Sequence, residues 1–325
     1  MPSADQLKAL IESHGEGDDE RFYSVALQAA ARAARSGHSR LAQELRTLID
    51  QARTRVGRPT KPIPVVQPRG DLAGLLSATY PKARLPDLVL DERVLSRLTR
   101  VLTEQRQRDH LLHHGFGPVR KLLLMGPPGT GKTMTAAVLA GELALPLFTI
   151  QLHSLITKFM GETAAKLRVI FDAISQSRGV YFFDEVDALA GERASRNDVG
   201  EIRRVLNSFL QFLEQDDSDS LLVAATNHPD LLDRALFRRF DDVIKYALPD
   251  KELLERVIRS RLATLDTGRV EWASVLKVAQ GLSHADLSRA CERAAKDAIL
   301  AHTKEVSTSA LVAAITERKV DRAPS

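Results

Sequence analysis

The chain is poor in several things, and each shortage excludes something. It has one cysteine, Cys291, so no disulfide framework can form within it, which fits a reducing compartment. It has no apolar run approaching membrane-spanning length. Its first twenty residues, MPSADQLKALIESHGEGDDE, are acidic and lack the apolar stretch of a secretory leader, so the expected location is the cytoplasm. No charge of one sign dominates: 46 Lys and Arg face 42 Asp and Glu, a net +4, which makes no sequence-wide case for a nucleic-acid binder. Aromatics make up only 5%, with a single tryptophan, Trp272. What remains is an ordinary apolar and charged content over 325 residues, enough for two or three compact units.

Residues 1–55 read as helices. Leu7, Leu10 and Ile11 share one short apolar face, Phe22, Val25, Ala26 and Ala29 a second, and Leu41, Leu45, Leu48 and Ile49 a third. Such a unit is too small to be comfortable alone. Residues 56–85 are expected to be a linker. The stretch ARTRVGRPTKPIPVVQPR (52–69) holds four prolines and five basic residues without an acid, which favours extended, solvated backbone. Its charge is the one feature that would suit a nucleic acid or an acidic partner, although no aromatic is interleaved.

Residues 86–248 alternate short apolar runs with helical patterns. The runs are KLLLM (121–125), LFTIQL (147–152), VYFF (180–183), LLVAAT (221–226) and DVIKYAL (242–248). Between them, Leu167, Ile170, Phe171 and Ile174 share a helix face, as do Ile202, Val205, Leu206, Phe209, Leu210 and Leu213. Nearly continuous apolar strands separated by helices predict an α/β fold with a parallel sheet buried on both faces. Residues 249–325 carry helical patterns only, with Ser283 and Ser307 as expected N-caps, and predict a small helical domain after the sheet.

GPPGTGKT, Gly126 to Thr133, fits the phosphate-loop pattern G-x-x-x-x-G-K-[ST] and stands between an apolar strand and a helix, the context that pattern needs. The glycines let backbone N–H groups converge on phosphate oxygens, and the helix N-terminus adds its positive end. Pro127, Pro128, Gly129, Thr130 and Gly131, with Lys132, Thr133 and Met134 at the helix start, form the expected nucleotide-contacting set. Lys132 is placed to reach the β and γ phosphates of ATP, and the Thr133 hydroxyl to ligate Mg²⁺. VYFFDEVDAL adds the second half: Asp184 is the expected Mg²⁺ partner and Glu185 the general base for an attacking water. Alone, such an acidic pair would read as a loop cap, and Asp187 reads as a helix N-terminal acid. Asn227, at the end of LLVAAT, could orient the same water or simply form a turn in NHPD.

Five ordered segments, LLLMGPPGTGKT, KFMGETAAKLRVIF, VYFFDEVDAL, AATNHPDLLDRALFRRFDDVI and GLSHADLSRACERAA, resemble the AAA subgroup of the AAA+ ATPases over about residues 86–320. The resemblance implies a five-stranded sheet in the order 5-1-4-3-2, a helical lid and a ring, usually hexameric, that remodels, unfolds or threads protein substrates. It further implies that Arg238 and Arg239 act on the γ phosphate held by a neighbouring subunit. The two are adjacent, as in spastin-like and katanin-like members. Guanidinium forks onto phosphate oxygens and stays charged, which suits that task. The alternative is a helix end paired with Asp241 and Asp242.

By the same resemblance, Lys158, Phe159 and Met160 form a substrate-gripping pore loop, where their own pattern also permits a hydrophobic staple. GERASRNDVGE (191–201) corresponds to a second pore loop. Val89, Leu90, His284 and Ala285 correspond to the adenine pocket, with His284 standing where relatives usually carry glycine; a satisfied surface histidine is the equal alternative for it. No arginine stands in the position where other AAA+ branches carry a phosphate-sensing one, which argues against initiator and clamp-loader types. The overall pattern is similar to bacterial single-ring ATPases, some of which feed a separately encoded protease. No H-E-x-x-H protease motif is present. The N-terminal helices are the expected site for a substrate or adaptor. The rival expectation is a nucleic-acid-stimulated ATPase, resting on the basic linker. His110 and His114 have metal-compatible spacing but no further ligand cluster in sequence, and Cys291 reads as a buried small side chain.

Overall fold

The computed structural model describes residues 8, 24–27, 29–31, 42–45, 47–48, 72, 74–152, 161–190 and 199–322. The chain divides into two compact units, Met1–Pro64 and Val65–Ser325. In the first, every described residue is helical, and Ala29 and Ala30 are buried.

The second unit carries the sheet. Its elements are β1 (Leu76–Thr79), α1 (Glu92–Arg106), α2 (Arg108–His113), β2 (Lys121–Met125), α3 (Lys132–Leu143), β3 (Leu147–Gln151), α4 (Gly161–Gln176), β4 (Val180–Asp184), α5 (Val199–Gln215), β5 (Leu221–Thr226), α6 (Arg234–Phe237) and β6 (Asp242–Lys245). Four helices follow: α7 (Lys251–Arg261), α8 (Trp272–Ala279), α9 (His284–Leu300) and α10 (Thr308–Arg322).

The strands pair in the order β1-β3-β4-β5-β2-β6. Dropping β1, this is the expected 5-1-4-3-2 order, and all four of its pairings are parallel. The reason lies in the composition of the runs. All six β5 residues are buried, as are four of the five in β2 and β4, so these strands need cover on both faces. Register is exact along the central pair, where Lys121 to Met125 face Leu222 to Thr226.

β1 was not expected. It falls inside the 56–85 linker segment and adds an antiparallel edge, Leu76 opposite Ile150 and Thr79 opposite Leu147. The proline-rich stretch 52–69 has its last proline at Pro68, and the next, Pro81, follows β1. Between them Leu76 is buried while Ser77 and Thr79 are exposed, the alternation of a half-covered edge strand. β6 is shorter than the expected 242–248, although the Tyr246 N–H still donates to Met125 O at 2.7 Å.

An aromatic cluster ties the helices to the sheet beneath the site. Phe183 on β4 lies 5.3 Å from Phe209 of α5 and 5.8 Å from Phe171 of α4, centroid to centroid. Helices α7–α10 enclose their own apolar core, which includes Leu254, Ile258, Leu287, Cys291, Leu311 and Ile315. Both expected N-caps are present: Ser283 forms a capping box with Asp286, and Ser307 Oγ accepts from the Ala310 N–H at 3.2 Å.

Candidate active site

The loop between β2 and α3 is shaped by glycines that no other residue could replace cheaply. Gly126, Gly129 and Gly131 have φ of 148°, 75° and 103°. A Cβ on Gly126 would stand 2.2 Å from Tyr246 O, and one on Gly129 2.5 Å from Ser283 Oγ and 3.0 Å from Ala285 Cβ. The loop is therefore clamped between the end of β6 and the start of α9. Ala285 N–H donates to Gly129 O at 3.0 Å, which joins the lid helix directly to the loop.

Inside the clamp the polar groups are satisfied by the loop itself. Thr130, fully buried, donates to Pro127 O at 2.8 Å. Lys132 Nζ donates to Gly126 O at 2.7 Å and to Pro127 O at 2.8 Å. Burial pushes its amine down to about 8, and the Asp184 and Asp187 carboxylates oppose that shift. Thr135, one turn into α3, donates to Gly131 O at 3.0 Å and meets Tyr246 Oη at 2.7 Å. Since the threonine has one proton, the tyrosine hydroxyl is the donor in the second bond. Thr133 is exposed at the helix start, and Met134 and Pro127 are half-buried, with Pro128 exposed beside them.

Asp184 is the last residue of the interior strand β4, at the same C-terminal end of the parallel strands from which the loop leaves β2. Burial raises its carboxyl above the usual range, with the Glu185 N–H bond at 3.0 Å acting the other way. A carboxylate in that state is under-compensated and fits a cation. Glu185 has φ of 55°, in the left-handed region that a non-glycine residue occupies at a cost, and the turn leaves its side chain exposed. Asp187 does more than begin a turn. Its Oδ1 accepts from Thr226 Oγ1 at 2.8 Å and from the Asn227 N–H at 3.3 Å, so it binds the tip of β5 to the acidic turn and sets where Asn227 stands. Nothing in the sequence pattern marks that cross-strand role.

Leu90 and His284 line a cavity of about 480 Å³ together with Val94, Tyr246 and Leu253. Val89 packs against the core of α7–α10. Both ring nitrogens of His284 are buried and lack a hydrogen-bond partner in standard geometry. Burial lowers the pKa of the ring, opposed by the adjacent Val89 backbone.

The arginine pair sits at the opposite end of β6. Asp233 caps the short helix α6, and Leu236, Phe237 and Phe240 pack into the main core. Arg238 and Arg239 are left exposed. Neither pairs with the following acids: Asp241 accepts the Arg120 and Lys121 N–H groups at 2.8 and 2.9 Å, and Asp242 pairs with Arg97. Arg239 instead meets Glu214 of α5 at 2.9 Å.

Lys158, Phe159, Met160 and residues 191–198 lie outside the described residues. His110 and His114 rings touch at 4.6 Å, and among the described residues no group of three or more metal-ligating side chains occurs. Cys291 is buried in the lid core, as expected. Among the described residues no helix is long and apolar enough to cross a membrane.

Gly129→Ala tests the clamp. The added methyl meets Ser283 and Ala285 at a positive φ, so the loop and the start of α9 cannot both keep their places. We expect loss of nucleotide binding by at least about tenfold, equivalent to ~1.4 kcal/mol. Unchanged affinity in a fluorescent-nucleotide titration would show the contact to be soft.

Comparisons with known proteins agree with this geometry. Residues 122–248 match the model of the ATPase family associated with various cellular activities. An AAA family ATPase of Sinorhizobium fredii is 32% identical over 307 residues, 94% of this chain and 92% of that protein. The ATP-dependent zinc metalloprotease FtsH of Helicobacter felis is 31% identical over 76% of this chain, which spans only 40% of the relative. A proteasome-activating nucleotidase of Methanococcus maripaludis is 35% identical over 57% of the chain and 47% of its own length. Among solved structures, the FIGL-1 AAA domain superposes with a TM-score of 0.59 at 25% identity, covering 74% of this chain and 85% of that one. With the phosphate loop, the acidic turn and the sheet order all in place, the chain belongs to the AAA family of ATPases.

Proposed function

We propose that this ATPase works as a ring of identical chains, hexameric as the resemblance implies, that spends ATP hydrolysis on remodelling, unfolding or threading protein substrates. One observation carries the catalytic half of the reading: a glycine loop with no room for side chains, holding a buried lysine amine at its centre and a strand-end acidic turn within Coulombic reach. Lys132 would exchange the Gly126 and Pro127 carbonyls for β and γ phosphate oxygens. Thr133 and Asp184 would hold Mg²⁺, which neutralises phosphate charge when bound. Glu185, exposed at its strained turn, would take a proton from the attacking water, with Asn227 orienting that water from the tip of β5. Leu90, His284 and Ala285 would border the base. The domain reading that goes with this keeps residues 1–55 as a recruiting unit and 86–248 with 249–325 as motor and lid.

The protein-handling half rests on relatives whose names describe proteolysis and proteasome activation, matched over the ATPase portion. No H-E-x-x-H motif occurs within these 325 residues.

Lys132→Ala should abolish nucleotide binding. Glu185→Gln should bind ATP normally while turnover falls by about a hundredfold or more, ~2.7 kcal/mol of lost transition-state stabilisation. Near-normal turnover by Glu185→Gln would remove that residue from its role.

Substrate class is tested on Phe159→Ala. Basal hydrolysis and ring assembly should persist, while stimulation by an unfolded polypeptide is lost. Stimulation of the unaltered protein by DNA or RNA instead, falling steeply with salt, would favour the nucleic-acid motor.

Proton linkage supplies a third check. Without nucleotide the Lys132 amine titrates near 8, depressed by burial. Phosphate oxygens favour its charged form and raise that value, so binding at pH 8 should take up roughly half a proton. At pH 6.5 the amine is already charged and the uptake should vanish. Calorimetry in buffers of differing ionisation enthalpy reads the difference. Equal uptake at both pH values would contradict a partly neutral lysine.

A further inference from the structure

One buried polar side chain of the second unit has nothing to bond. Among the described residues, neither ring nitrogen of His284 has a hydrogen-bond partner in standard geometry, and both are buried. A buried nitrogen in that condition costs free energy unless something binds beside it. The backbone that carries the ring is held on both sides. Ser283 closes a capping box with Asp286, and the Ala285 N–H donates to Gly129 O at 3.0 Å. His284 is thus fixed at the start of α9, one residue from a direct contact with the phosphate loop.

The cavity of about 480 Å³ that His284 shares with Leu90 is large enough for a purine base. Its other polar liners are engaged or exposed. Asp91 and Asp250 cap α1 and α7, Arg97 pairs with Asp242, and the Tyr246 hydroxyl bonds Thr135. Arg93 and Lys245 are exposed. The neighbours of the ring also set what it offers. Burial lowers its pKa, and the Arg261 charge adds to that, so at neutral pH the ring is neutral, with one N–H and one lone pair. The Val89 backbone acts the other way and favours the charged ring, as a carbonyl does and an N–H does not. The nitrogen nearer Val89 therefore carries the proton. The other presents a lone pair, which calls for a donor.

We infer that His284 selects the base of the nucleotide, accepting a hydrogen bond from the exocyclic amino group of adenine and rejecting purines that carry an oxygen at that position. The inference rests on the nucleotide reading above and adds the residue that tells one base from another. A 6-oxo purine would set two lone pairs against each other at a buried site. A site built to hydrogen-bond one group rejects the analogue that lacks it far more strongly than an apolar pocket rejects a change of size. Leu90 supplies apolar surface on which any purine can lie, so the preference depends on the imidazole.

Calorimetric titration of the full chain tests this with four ligands: ADP, inosine diphosphate (an oxygen in place of the amino group), purine riboside diphosphate (neither group), and tripolyphosphate, which reports on the phosphate loop alone. The unaltered protein, His284→Ala and His284→Gln are compared, each with its melting temperature. We expect the unaltered protein to bind ADP at least about tenfold more tightly than inosine diphosphate, with the purine riboside between them. His284→Ala should bring ADP and inosine diphosphate to within about twofold of each other, while tripolyphosphate affinity and melting temperature hold. His284→Gln, whose amide oxygen can accept the same bond, should keep part of the preference. A preference for ADP that survives His284→Ala undiminished would overturn the inference. So would a parallel loss of all three purine ligands with a lower melting temperature, the behaviour of a side chain that only packs. Equal affinity of the unaltered protein for ADP and inosine diphosphate would overturn it with the nucleotide reading intact. If neither ADP nor tripolyphosphate binds, the nucleotide reading itself fails.

Discussion

The phosphate loop has no room to spare, and most of the second unit is arranged around that fact. Tyr246 closes on Gly126, and Ser283 and Ala285 press on Gly129, while at Gly131 the positive φ of 103° is the constraint. These contacts come from the end of the strand leaving the arginine turn and from the lid. Either of the two that moves must move against the loop backbone. The loop backbone thus touches both the lid and the end of β6 directly. The Thr135–Tyr246 hydrogen bond adds a second, polar fastening between the loop's helix and β6 in an otherwise apolar layer. Unmade, it would leave a buried hydroxyl without a partner, at a cost of about 1–3 kcal/mol.

The pair of phenylalanines around Arg238 and Arg239 has a packing role. Phe237 and Phe240 face the core with Leu236, and this anchors a helix too short to be stable by itself. The arginines project because the rings do not. The two aspartates that follow, which might have neutralised them, are spent elsewhere: Asp241 on the N–H groups at the start of β2 and Asp242 on Arg97. Cation exposure at this corner is thus a consequence of how the neighbouring acids are used.

Much of this was legible in the sequence, for physical reasons that differ by element. The central strands announced themselves because burial on both faces forces near-continuous apolar runs, and the loop because its backbone demands glycine at fixed spacing. Ser283 and Ser307 could be read as caps because a hydroxyl at a helix start has a local partner. What could not be read depends on distant pairing. β1 is four residues long, half-exposed and preceded by prolines, so its alternation is too brief to stand out. Asp187 looks like any acid in a first turn until β5 arrives beside it, and its bonds to Thr226 and Asn227 span about forty residues of sequence. The Glu214–Arg239 pair is likewise invisible without α5 and α6 in place.

The central claim is that one chain's loop is completed by another chain's arginine. The most direct test is a structure of the Glu185→Gln protein with ATP and Mg²⁺, solved by electron cryomicroscopy. The account predicts a closed ring in which a guanidinium of the Arg238–Arg239 pair lies within hydrogen-bond distance of the γ phosphate bound beside the neighbour's Lys132. A monomer with bound ATP, or a ring in which both arginines face solvent, would contradict it.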